Sequence, residues 1–289
     1  FDFGHDLSET SKGSYIYTKK GKKILDFTGG FGVLNHGHNH DRILNARINF
    51  QKQNKVEVHK NFLCPYLAAL SHNIAQILPG ELNVSYLPNS GAEANEGAIK
   101  LAYKYHNGKR KYILHSDISF HGKLLGTGSI SSSPEVKFKF PGINCTDVFK
   151  WNDIDSLKSK IDHYENKKDE PDIFVIIIEP FSASSLLECS EDFLRELRQI
   201  CNNKKIILIF DEIYTGWGKT GEFFYFMKYE NLVPDVLTMS KSFGGGKSSI
   251  SCFTTTNEIF NKAYGNVQDS TIHSTTYNAF GEETITALE

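Results

Sequence analysis

A lone lysine, Lys241, ends the short apolar run Val236-Leu237-Thr238-Met239 and is followed by Ser242-Phe243-Gly244-Gly245-Gly246. A lysine amine is a nucleophile only when partly deprotonated, a state that burial and neighbouring cations promote. Asp211 ends another apolar run, residues 206–210. A carboxylate in that position is costly to bury without a cationic partner, which a nearby Arg or Lys could supply structurally. A third feature is the turn Ser90-Gly91-Ala92, between a strand-like stretch at 84–87 and a helical pattern with Ala94, Ala98, Leu101, Ala102 and Tyr105 on one face. Such a turn directs free backbone N–H groups from the positive end of a helix and can hold a phosphate, although many α/β turns of this kind bind nothing.

Lysine, acid and phosphate cradle are together what pyridoxal phosphate chemistry needs. The lysine forms a Schiff base, the acid faces the pyridinium nitrogen, and the cradle anchors the phosphate. A rival reading arises from Gly246-Lys247-Ser248, which ends like a P-loop, but that motif requires glycine at position 241, where this chain has Lys241.

The elements that must position these residues follow from hydrophobic patterning. Apolar runs at 112–114, 173–178, 206–210 and 236–239 are continuous rather than alternating, as in strands covered on both faces, and an amphipathic helix is expected over 193–201. Strands alternating with helices predict an α/β domain around a mostly parallel sheet, with ligands at the carboxyl ends of the strands. Ser90-Gly91, Phe120-His121, Glu179, Asp211 and Lys241 all fall at such ends. Earlier in the chain, Tyr15-Ile16-Tyr17 and Ile24-Leu25 flank lysines around Gly21 and read as a hairpin with a solvated turn.

At this point the sequence resembles the class III (ω-amino acid) aminotransferases of pyridoxal phosphate fold type I. The resemblance runs from about Gly13 onward, through residues 89–96, Phe120-His121-Gly122, Ile178-Glu179-Pro180, residues 211–221, Pro234-Asp235, Ser240-Lys241 and His273-Ser274-Thr275-Thr276. Residues 29–38 look most like the putrescine and acetylornithine/ornithine branch. The resemblance implies a three-layer α/β/α domain at 46–289, preceded at 1–45 by an N-terminal hairpin segment of the small domain. The chain begins at Phe1 and stops at Glu289 within a helix just begun, so a piece of a longer protein is expected, with the C-terminal small domain and its carboxylate-binding arginine beyond Glu289.

The implied roles are specific. Lys241 carries the Schiff base and shuttles the substrate proton, and Asp211 pairs with the pyridine nitrogen. Ser90, Gly91 and Ala92 hold the phosphate. Phe120 stacks on the ring with His121 close behind, Glu179 lies near the phenolic oxygen, and Phe31 lies near the substrate. Thr276, with Thr275, reaches the cofactor phosphate of a neighbouring subunit, so a homodimer is expected. Three departures stand out: Tyr214 where relatives have a glutamine that contacts the cofactor, Ser182-Ala183-Ser184 where many have Gln-Gly-Glu, and Asn278-Ala279-Phe280-Gly281 where Gly-Gly-Asn-Pro is usual. They point to a substrate other than ornithine or γ-aminobutyrate. The implied reaction moves an amino group from a primary amine or ω-amino acid to a 2-oxo acid. An aminomutase, racemase or decarboxylase on the same fold, or a non-catalytic homologue, stays open.

Composition narrows the rest. A formal charge of −2 argues against a nucleic-acid scaffold. Cys64, Cys145, Cys189, Cys201 and Cys252 are scattered without a C-x-x-C pair, which suits a reducing, cytoplasmic setting and supports neither disulfides nor zinc. No apolar stretch approaches the roughly 20 residues that span a bilayer. His36, His38 and His40 alternate like metal ligands but read as a structural loop, so no metal is expected.

Overall fold

The computed structural model describes residues 6–59, 62–132, 140–165, 171–269 and 271–289. Among the described residues, strands β1 (Ser8–Lys12), β2 (Tyr15–Thr18) and β3 (Lys23–Leu25) form a small antiparallel sheet, with the expected lysine turn between the last two. A single tight turn, α1 (Gly29–Gly32), and helices α2 (Asp41–Lys52) and α3 (Pro65–Ile77) follow. The division expected after residue 45 falls inside α2, so no break in the backbone marks it.

The main sheet contains β4 (Leu82–Tyr86), β5 (Tyr112–Ser116), β6 (Thr146–Phe149), β7 (Ile173–Ile178), β8 (Ile207–Asp211), β9 (Val236–Met239) and β10 (Cys252–Thr256). Its order is β4-β10-β9-β8-β7-β5-β6. The β6–β5–β7–β8–β9 pairings are all parallel, whereas β10 runs antiparallel to both β9 and β4. This is the mostly parallel α/β sheet that the apolar runs predict. Helices α4 (Gly91–Tyr105), α5 (Leu125–Ser129), α6 (Ile154–His163) and α7 (Glu191–Lys204) connect strands, and α8 (Asn257–Tyr264) and α9 (Gly281–Leu288) follow β10.

Strands β7, β8 and β9 are buried along their whole length. Successive side chains point to opposite faces, so each strand feeds two cores. Ile176, Ile178, Leu208, Phe210, Leu237 and Met239 pack with residues of α3, α6 and α7 on one face. Val175, Ile177, Ile207, Ile209 and Val236 pack with residues of α4 and α8 on the other. Three layers result. Helix α7 is longer than the 193–201 pattern because the Ser190 hydroxyl caps it two residues earlier, accepting the Phe193 N–H.

One buried acid serves this frame. Glu212 accepts the N–H groups of Tyr225 (2.6 Å) and Phe226 (2.8 Å) and the hydroxyl of Thr215 (2.7 Å), pinning the loop that follows β8. Burial raises its carboxyl to about 7 against those hydrogen bonds, from an ordinary value of 4.5. The folded state therefore binds this proton more tightly than the unfolded chain. Its stabilising effect is full below the ordinary value and is lost as pH rises to about 7. The loss is expected to total about 3 kcal/mol. Urea unfolding at the two ends of that window checks it, and Glu212→Gln should flatten the dependence.

Candidate active site

Sheet register places the chemistry. Ile178 lies opposite Phe210, and Asp211 opposite Thr238, so Glu179, Asp211 and Lys241 emerge from the same end of three adjacent strands. Phe120 and His121 arrive from the loop after β5, and Gly91 and Ala92 from the first turn of α4. They enclose one cavity of about 230 Å³, which Tyr214, Ile213, Gly122, Ala183 and Ser240 also line.

Asp211 is held from behind. Its Oδ2 accepts hydrogen bonds from His121 Nδ1 (2.7 Å) and Asn95 Nδ2 (2.8 Å), and its Oδ1 accepts the Ile213 N–H (3.1 Å). Asn95 also donates to the His121 carbonyl (2.9 Å), tying acid and imidazole to α4. The structural partner of Asp211 is thus a histidine and an amide, not the Arg or Lys that sequence reasoning weighed. His121 Nε2 is buried without a partner.

Lys241 adopts a left-handed backbone, φ 50°, at the start of a 3-10 turn over Lys241–Gly244. For a residue with a side chain this conformation costs on the order of 1 kcal/mol. Neighbouring bonds hold it: Ser240 Oγ donates to the Ile250 carbonyl and Ser242 Oγ to the Gly32 carbonyl. Burial lowers the pKa of the Lys241 ammonium, opposed by the negative charges of Asp211 and Glu179. Its Nζ lies 4.7 Å from the centre of the Tyr214 ring, and the Nζ of Lys219 lies 5.1 Å from the same ring. Gly32 abuts Tyr214 so closely that a Cβ there would come within 2.7 Å of the ring.

Glu179 is buried, and its two oxygens accept the N–H groups of Phe120 (3.0 Å) and Ala183 (3.1 Å). Burial raises its carboxyl to about 7, with His121 opposing and Asp211 adding to the rise. At the phosphate-cradle end, Ser90 and Glu93 form a capping box, the Ser90 hydroxyl accepting the Glu93 N–H and Glu93 accepting the Ser90 N–H. The preceding Asn89 donates to Thr275 Oγ1 (3.0 Å). Gly122, φ 130°, leaves no room for a side chain, since a Cβ would stand 2.7 Å from Ala92 and 2.8 Å from Thr127 Oγ1. Gly122→Ala should therefore destabilise the fold by about 2 kcal/mol and displace Ala92. Thermal unfolding together with cofactor titration checks both effects.

Not every expected residue reaches the cavity. Phe31 also has a left-handed backbone (φ 59°), is 84% exposed and does not line it, although the adjoining Gly32 touches Tyr214. Ser90, Thr275 and Thr276 do not line it either. Ile213 and Asn95 were not singled out by sequence reasoning. Ile213 packs on Gly91 and lines the cavity, and only its place after Asp211-Glu212 could have marked it. Asn95, an amide buried on the apolar side of a helix, was the stronger signal. His38 bonds Asp26 (2.7 Å) and serves its loop.

A lysine and a buried, hydrogen-bonded acid thus stand at neighbouring strand ends of an α/β sheet, facing a helix N-terminus across a small cavity. Residues 5–281 match the class-III aminotransferase family, and the chain belongs to it. It is 36% identical over 239 residues to the acetylornithine aminotransferase of Aquifex aeolicus, covering 81% of this chain and 61% of that protein. It is 35% identical over 272 residues to the acetylornithine/succinyldiaminopimelate aminotransferase of Buchnera aphidicola, covering 92% and 62% respectively. The chain thus spans about three fifths of the length of these curated relatives. Among solved structures, a transaminase from the marine bacterium Virgibacillus superposes with a TM-score of 0.90 at 23% identity, covering 99% of this chain and 66% of that one. The ornithine aminotransferase of Toxoplasma gondii does so at 0.86 and 19%, covering 99% and 66%. Both likenesses bear on the fold.

Proposed function

We propose that this chain carries the cofactor-binding domain of a pyridoxal phosphate-dependent aminotransferase. Its reaction moves an amino group from a primary amine or ω-amino acid to a 2-oxo acid in two half-reactions. The observation that carries the reading is the convergence of Lys241, Asp211, Glu179, Phe120 and the first turn of α4 on one cavity.

The residues present fit the cofactor. The N–H groups of Gly91 and Ala92 belong to the first turn of α4 and have no intrahelical acceptor, which suits a phosphate dianion. Donors behind Asp211 hold its carboxylate in place, and its Oδ1, which among the described residues accepts the Ile213 N–H, can also accept a ring N–H. Pyridoxal phosphate, when bound, supplies an electron sink for the negative charge left on a substrate carbon.

The chain's own residues do the rest. Burial weakens the hold of Lys241 on its proton, so its Nζ would hold the cofactor covalently and, once released from it by the substrate amine, would carry the substrate proton. Phe120 offers a ring face, and Glu179 fixes the Phe120 loop to the Ala183 loop. Ser90 adds its hydroxyl to the phosphate cradle. Tyr214 fills the place of the family's glutamine beside Lys241.

Thr275 and Thr276, lying outside this cavity, would reach the phosphate of a partner in a homodimer. Phe31, exposed on the loop that touches Tyr214, would meet substrate at the mouth. Residues 1–45 would belong to the small domain, a reading supported by the separate sheet of β1, β2 and β3. The free cysteines suit a cytoplasmic setting, and among the described residues no helix is long and apolar enough to cross a membrane.

Incubation with pyridoxal phosphate, borohydride reduction and peptide mass mapping test the cofactor assignment. Label at Lys241 is the expected result, and folded protein without label overturns it. A donor panel then tests the reaction and the substrate. Stoichiometric conversion of donor to its carbonyl compound distinguishes transamination from racemase or decarboxylase chemistry. Ornithine matching the best donor would sink the inference drawn from Tyr214 and Ser184.

A further inference from the structure

Three loops meet beside Lys241. Residues 29–35 follow the small sheet, residues 214–219 follow β8, and the turn Lys241–Gly244 follows β9. Lys219, half-buried, joins the first two: its Nζ donates to Asn35 Oδ1 (2.8 Å), while Asn35 Nδ2 donates to the Trp217 carbonyl (2.9 Å). One amide thus grips the loop after β8 at two points. The Trp217 ring stacks in turn on Phe243, 4.7 Å between centroids and 6° between planes. Ser242 Oγ closes the set by donating to the Gly32 carbonyl (2.9 Å). Tyr214, a wall of the Lys241 cavity, lies within these contacts. A Cβ at Gly32 would stand 2.7 Å from its ring and 3.2 Å from Lys219 Nζ. The amines of Lys219 and Lys241 lie 5.1 and 4.7 Å from the ring centre. An ammonium at that range is attracted to an aromatic ring, so Lys219 engages the ring as well as the loop.

We propose that Lys219 and Asn35 are positioning residues that fix the Tyr214 ring beside Lys241, and that the ring so fixed limits the width of the carbonyl compound reaching that amine. The inference rests on the reading of Lys241 as the reacting amine. Neither Lys219 nor Asn35 lines the cavity, so both act through Tyr214. Burial, and after it the charge of Lys241, lowers the pKa of the Lys219 ammonium, as expected of two amines gathered on one ring. With the wall held in place, slender aliphatic carbonyl compounds pass, and those carrying a ring beside the carbonyl are held back. Freed of the clasp, Tyr214 and residues 29–35 can swing outward and the difference shrinks.

The test is reductive alkylation of the whole chain, without pyridoxal phosphate, by formaldehyde or benzaldehyde with cyanoborohydride. Peptide mass mapping gives the rate at Lys241 for each aldehyde, and the ratio of benzaldehyde to formaldehyde is the readout. Lys219→Met and Asn35→Ala should each raise that ratio about fivefold, the scale of one lost hydrogen bond or ring contact. The double variant should go no further, because either change alone opens the same clasp. Lys219→Arg keeps a cationic donor and should stay near wild type. Lys160, bound to Asp147 at 2.8 Å beside β6, is the internal standard, and its ratio should not move. An unchanged ratio in either single variant, additive effects in the double, Lys219→Arg as permissive as Lys219→Met, or an equal rise at Lys160 would each overturn the proposal. Neither aldehyde needs a phosphate cradle, so failure of the pyridoxal phosphate assignment would leave this test standing.

Discussion

Replacing Lys241 with alanine is expected to lower transamination by roughly 10⁴-fold, because the proposed mechanism makes one side chain both the covalent anchor and the proton carrier. Single-turnover decay of a donor, followed against wild type at saturating cofactor, measures it. A loss below tenfold would remove Lys241 from the mechanism. The fold should survive, since the backbone at 241 is held by Ser240 and Ser242 rather than by the lysine side chain. Alanine keeps the left-handed strain at φ 50°, whereas glycine does not. Lys241→Gly should therefore be as inactive as Lys241→Ala yet about 1 kcal/mol more stable in urea. That difference separates the chemical role of the side chain from the conformational demand of the turn.

Asp211→Ala is the second large effect, and it should strike activity and stability together. Loss of the fixed negative charge behind the ring is expected to cost about 10³-fold in turnover, the scale of removing a preorganised electrostatic group. It also leaves His121 Nδ1 and Asn95 Nδ2 buried without their shared acceptor, an expected loss of about 2–3 kcal/mol. Urea midpoints and donor turnover measured on one preparation check both. His121→Ala should lower stability with a smaller effect on turnover, because Asn95 continues to orient the carboxylate. Equal turnover losses in the two variants would mean that the imidazole, not the carboxylate, faces the chemistry.

Much of the site was legible in the chain itself. The apolar runs ending at Ile178, Phe210 and Met239 are strands β7, β8 and β9, and residues just beyond a buried strand's carboxyl end meet at one edge of a parallel sheet. Strand ends are local properties, written in consecutive side chains, which is why Glu179, Asp211 and Lys241 could be assembled before any coordinates. The turn before α4 was equally local, Ser90-Gly91-Ala92 between a strand-like stretch and a helical pattern.

What tertiary structure decided was which groups meet across large sequence separations. The antiparallel insertion of β10 between β4 and β9 depends on long-range pairing that no run of residues encodes. The same holds for the triad of Asn95, His121 and Asp211, whose members come from three different elements. The exposed direction of Phe31 goes with left-handed backbone at Gly30 and Phe31, where the family resemblance implied a residue near the substrate. Short-range patterning thus fixes which residues stand at strand ends, because burial on two faces demands continuous apolar sequence. Partner identity at the site is set by packing of distant elements, because a hydrogen bond between residues 116 positions apart in the chain forms only after both cores have closed.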